Sequence, residues 1–210
     1  LHGSSAASDV YKRQVHQLTI TIADGTNTAS AENLNTINAA TTLNIKTGTS
    51  GDANAITIIT GAVSAMETFV SNITDFRDGS GGTKAESVYT FKPTAAAQLA
   101  ADLNSLNSSV TNINLTNVTS ITASLLSAVN SLALAIDAGQ FSNGGGLTTV
   151  AISDSTIDAT ALATAIDNLD AINGGSATDM TLASEATINV DADEITHMLL
   201  DETQNRLDIT

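Results

Sequence analysis

The chain has 210 residues, with 22 acidic side chains against 7 basic ones and a net charge of −15. That balance excludes a nucleic-acid or anionic-membrane surface, because binding phosphate takes clustered Lys and Arg, and Lys46, Arg77, Lys84, Lys92 and Arg206 read as isolated. There is no Cys and no Trp, and aromatics make up 3% of the chain, which excludes disulfide staples, thiolate metal sites and a core anchored on many large rings.

Residues 4–14 resemble a translated adaptor sequence, so 1–14 are read as a non-native N-terminal artefact and the chain as a fragment of a longer protein. The predicted elements begin with alternation in Leu18, Ile20 and Ile22, a half-buried strand. A helix carrying Leu34-Asn-Thr-Ile37 follows, then a strand at Ile56 and Ile58 and a helix on Val63, Met66, Val70 and Ile73. A Gly-rich loop at 75–84 leads to a strand at Tyr89 and Phe91 and a helix on Leu99, Leu103, Leu106 and Val110. A strand at Ile113 and Leu115 precedes the helix on Leu125, Val129, Leu132 and Ile136, which Gly139 ends. After a second Gly-rich loop at 140–146 come a strand at Val150 and Ile152 and a helix on Leu162, Ile166 and Leu169, with Asp158 before it as cap. Strands at Met180 and Leu182 and at Ile188 and Val190 lead to a last helix, opened by a capping box of Asp191 and Glu194. No stretch reaches the roughly 18 apolar residues of a membrane span.

A short motif recurs on these helices: Leu34-Asn-Thr-Ile37, Val70-Ser-Asn-Ile73, Leu103-Asn-Ser-Leu106, Val129-Asn-Ser-Leu132, Ile166-Asp-Asn-Leu169 and, more loosely, Ile195-Thr-His-Met198. Every second copy returns after roughly 65 residues, so the unit is a pair of helices present three times. The units are placed at 15–80, 85–140 and 147–205. Strands alternating with helices imply parallel pairing, and strands apolar on one face only fit one helix layer on one sheet face. The expected fold is therefore an α/β repeat solenoid of short parallel strands alternating with amphipathic helices.

The strand Val150-Ala-Ile-Ser-Asp154, the helix 161–171, and the stretches Met180-Thr-Leu182 and Thr187-Ile-Asn-Val190 resemble repeat units of giant cell-surface proteins of marine cyanobacteria and of type-I-secreted bacterial adhesins. The resemblance covers roughly residues 17–205. It implies secretion, attachment at the cell surface and a spacer or adhesive role, and it carries over no catalytic or binding residue. The nonapeptide calcium turns common in such proteins are missing here.

No reaction centre assembles from the residues, so the chain is read as no enzyme. His2, His16 and His197 lie far apart in sequence, and no HExxH or GxSxG occurs. Gly79-Ser-Gly-Gly-Thr-Lys84 departs from a phosphate loop in its last residues and reads as a flexible loop. Cofactors are expected to be none. Asp154, Asp158, Asp191 and Asp193 are the candidate ligands should calcium bind at the edges of the units, against the plainer reading that they cap helices. An exposed sheet face is expected to carry Thr19, Thr21, Asn44, Thr57, Thr90, Asn114, Thr181 and Asn189.

The leading expectation is a non-catalytic, extracellular structural or adhesive module of a larger surface protein, with neighbouring repeats as its partners. The alternative is a ligand-binding solenoid that meets surface glycans, ice or calcium through the Thr/Asn face. A polysaccharide lyase ranks last, because it needs basic residues beside carboxylates on one sheet face and those here are scattered.

Overall fold

Short parallel strands run almost without a break into helices. A computed structural model describes residues 20–22, 27–48, 55–172 and 179–189 and the backbone of 207 and 208. Among them are five α-helices: α1 (Ala31–Ala39), α2 (Val63–Ser71), α3 (Ala100–Ser109), α4 (Leu126–Asp137) and α5 (Ala159–Ile172). Each buries a stripe at helical spacing: Val63, Met66 and Phe69 in α2, Ala100, Leu103 and Leu106 in α3, and Val129, Leu132 and Ile136 in α4. The helices pack in chain order, α1 on α2, α2 on α3, α3 on α4 and α4 on α5.

Two helical faces begin one residue later than the periodicity predicts. Leu99 and Leu125 stand at N-cap positions, in extended backbone, and are 39% and 56% exposed. Ala100 and Leu126 take their places in the buried stripe. Three- and four-residue spacing does not distinguish a first helical residue from the cap before it.

The described strands divide among four parallel sheets, where the sequence reading expected one sheet beneath a helix layer. The first contains β1 (Ile20–Thr21), β3 (Ile45–Lys46) and β5 (Phe76–Arg77). In the second, β2 (Thr28–Ser30), β4 (Ile58–Gly61), β6 (Thr90–Pro93), β8 (Ile113–Asn114) and β10 (Phe141–Ser142) pair in that order. In the third, β7 (Ala97–Gln98), β9 (Ser120–Ser124), β11 (Thr149–Ile152), β13 (Asp179–Thr181) and β15 (Leu207–Asp208) do the same. The last is β12 (Thr156–Asp158) with β14 (Thr187–Asn189). Several sheets arise because the strands before and after a helix join different neighbours.

The roles of these sheets shift along the chain. In the second sheet, β2 and β4 precede helices, whereas β8 and β10 follow them. The exchange happens where two strands occur in succession, β6 then β7, before α3. It happens again at β11 and β12, before α5, after which the third sheet supplies the strand behind the helix.

Register aligns the core. Ala29, Ile59, Phe91, Ile113 and Phe141 are successive partners across the second sheet, and Gln98, Ile121, Val150, Met180 and Leu207 across the third. Four of the six aromatic residues form one cluster centred on Phe69, with ring centroids 4.7 Å away for Phe76, 5.3 Å for Tyr89 and 6.3 Å for Phe91. All four are fully buried, so the few rings in the chain form one anchor in its first half.

Candidate functional site

Three of the five described helices start without conventional caps, and this shapes the polar surface. α2, α3 and α4 have Ala62, Leu99 and Leu125 at their N-caps, none of which makes a side-chain cap bond. The bare N–H groups are met from neighbouring stretches of chain. Glu32 Oε1 accepts from Ala62 N at 2.7 Å, Ser124 Oγ from Ala100 N at 2.9 Å, and Asp154 Oδ2 from Leu126 N at 2.7 Å. By contrast, α1 and α5 are capped locally: Ser30 Oγ accepts from Asn33 N and Asp158 Oδ1 from Ala161 N.

Glu32 also accepts from the Ser30 hydroxyl at 2.6 Å. Burial pushes its carboxyl up, but the bonds from Ser30 and Ala62 outweigh that and hold it below the ordinary glutamate value. Gly61 beside it has φ 143°, and a Cβ there would come within 2.5 Å of Glu32 Oε2, so the tight approach needs glycine.

The motif asparagines bridge helices. Asn35 Nδ2 donates to the Ala65 carbonyl and Asn104 Nδ2 to the Ala128 carbonyl, each at 2.8 Å, while Asn168 Nδ2 donates to Asn130 Oδ1 at 2.6 Å. These ties and the remote caps escaped the sequence reading. The recurring Asn was the one local signal for them.

A cavity of about 300 Å³ opens where α4 and α5 begin, lined by Leu126, Ser127, Asn130, Asp154, Thr156, Ile157, Asp158 and Ala161. It brings Asp154 and Asp158 to one place, and both are engaged as helix caps. Calcium takes 6–8 oxygen ligands. No group of three or more His, Cys, Asp or Glu that could hold a metal occurs among the described residues. Asp191 and Asp193 lie outside the described residues, as do His2, His16 and His197.

A second polar cluster lies under the loop at 78–84. Lys84 Nζ donates to the Ile56 carbonyl at 2.7 Å and stands 4.6 Å from the centre of the Tyr89 ring. Burial lowers the Lys84 pKa, with Asp78 acting against it. Burial pushes the pKa of the Tyr89 hydroxyl up, with the nearby Thr47 side chain acting against it.

Of the residues expected on an open face, Thr21, Asn44, Thr57, Thr181 and Asn189 are exposed and Thr90 and Asn114 half-buried, while Thr19 lies outside the described residues. Thr57 and Thr90 are neighbours through the bond from Thr90 N to the Thr57 carbonyl. No register pair of the described strands joins two of these residues: Thr21 stands opposite Lys46, Asn114 opposite Ser142, and Asn189 opposite Asp158. The basic residues, read as isolated, are partly brought together, for Lys46 and Arg77 are direct partners on β3 and β5. Sequence separation hid this, because parallel pairing joins residues a whole helix apart. Among the described residues no helix is long and apolar enough to cross a membrane. No family model, no curated protein and no solved structure matches the chain.

Proposed function

We propose that the chain is a non-catalytic structural or adhesive module of a larger extracellular surface protein, built as an α/β solenoid whose repeats partner one another. The observation that supports this most is the way three successive helices are completed from elsewhere in the chain: Glu32, Ser124 and Asp154 cap α2, α3 and α4 from 24–30 residues away, and Asn35 and Asn104 tie one helix to the next. Polar groups that join successive segments fit a repeat module, in which stability comes from contacts between neighbouring units. The exchange of sheet roles before α3 and before α5 agrees with a two-helix unit.

Small-angle scattering and surface labelling test the proposal together. A solenoid spacer gives an elongated particle, and antibodies raised against the chain label intact source cells. A spherical scattering profile rejects the solenoid, and labelling only after cells are opened rejects the surface role.

The alternative, a ligand-binding solenoid, draws on the cavity at Asp154 and Asp158 and on the exposed Thr and Asn side chains. A glycan array and a thermal-hysteresis assay separate it from the spacer, which predicts no signal in either.

A further inference from the structure

Charge is distributed unevenly along the chain. Lys46, Arg77, Lys84 and Lys92 all precede residue 93, and no Lys or Arg occurs between Pro93 and Asn205. Between Pro93 and Asn189 there are eight acidic residues and no basic one. Because the helices pack in chain order, among the described residues this sequence gradient becomes a spatial one, from a mixed first half to an acidic second half.

The first half carries a local basic face. Lys46 and Arg77 sit side by side in register, and neighbouring strands are about 4.8 Å apart. Arg77 is held in place by Thr83 Oγ1 at 3.1 Å and Asn44 Oδ1 at 3.4 Å, both neutral. The Lys46 side chain has no hydrogen-bond or ion-pair partner among the described residues, and Gly81 of the loop lies close to it. Lys84 is close by beneath the same loop, beside Thr47, and the Asp78 carboxylate acts on it. In the second half, Asp158, Asp179 and Glu185 are exposed with no cation near them in sequence.

We propose that the molecule is self-complementary: the basic face at Lys46 and Arg77 docks against the acidic second half of another copy, around Asp179 and Glu185. An antiparallel, side-by-side pair makes both contacts at once around a two-fold axis, which closes the assembly as a dimer. The net charge of −15 does not forbid this. At 0.1 M salt the Debye length is about 10 Å, so overall repulsion is screened while charges in contact still attract. The proposal rests on charge placement alone and is independent of the spacer reading.

Analytical ultracentrifugation of the whole chain with charge-reversed variants tests it. At about 0.1 M salt the wild type sediments as a dimer and shifts to monomer as salt rises. K46E/R77E alone and D179K/E185K alone are each monomeric, since each has one sign of charge on both faces. Mixed together they form a heterodimer, and its recovery shows that neither variant has simply misfolded. A wild type that is monomeric throughout overturns the proposal. So does a dimer indifferent to K46E/R77E, a mixture that stays monomeric, or growth beyond the dimer with concentration.

Discussion

Asp154 Oδ2 lies 2.7 Å from the backbone nitrogen of Leu126, a residue 28 positions earlier in the chain. The carboxylate performs the task of an N-cap for α4 from another segment, because Leu125 at the cap position has no polar group to offer. Replacing an N-cap acceptor costs about 1 kcal/mol. Asp154→Ala is expected to lower stability by that amount in urea denaturation, and Asp154→Asn, which keeps an acceptor, by less. Equal losses would mean that the hydrogen bond contributes nothing.

The bridging asparagines make a sharper distinction, because they act as donors. Asn104 Nδ2 gives its proton to the Ala128 carbonyl, and aspartate has no proton to give at neutral pH. Asn104→Asp is expected to cost about 1–3 kcal/mol, since it removes a bond and turns a charge towards a carbonyl. Thermal melts near pH 3, where the aspartic acid regains a proton, should narrow the gap to wild type.

Glu32 ties stability to pH with a definite sign. Its folded value is depressed by Ser30 and Ala62 against the effect of burial, so its contribution is complete above the ordinary glutamate value and is lost as pH falls through the depressed one. Glu32→Gln should therefore lower the melting temperature at neutral pH and approach wild type at the acid end. A constant difference across the pH range would remove Glu32 from the account.

Phe69 touches Phe76, Tyr89 and Phe91, and all four rings are fully buried. Phe69→Ala should cost about 3–5 kcal/mol, enough to unfold a domain of marginal stability. Phe69→Leu should cost less. Near-ultraviolet circular dichroism reads both, since the tyrosine signal depends on the packed cluster.

Much of the helical content was legible because Leu, Ile and Val recur at three and four residues and because Asp158 and Gly139 mark a start and a stop. Asp158 does accept from Ala161 N, and Gly139 has φ 75° just past α4. Parallel pairing was also legible, from strands alternating with helices. What stayed hidden was everything fixed by register. Lys46 beside Arg77, Glu32 under Ala62 and Ser124 beside Ala100 each join residues 24–31 apart, and no local pattern announces which residue will arrive opposite another. The cavity escaped for the same reason, since Asn130 and Asp158 meet there from two different helix starts.

The remote caps also set an order of events during synthesis. A ribosome releases Ala100 and Leu126 well before Ser124 and Asp154, so α3 and α4 emerge with bare amino ends and are sealed only when the next 24 and 28 residues have appeared. Run in reverse, the same dependence makes unravelling directional. Tension applied at the C-terminal side strips α4 and α3 of their seals before reaching them, like a zip opening from one end, whereas tension from the N-terminal side meets both with their seals still in place.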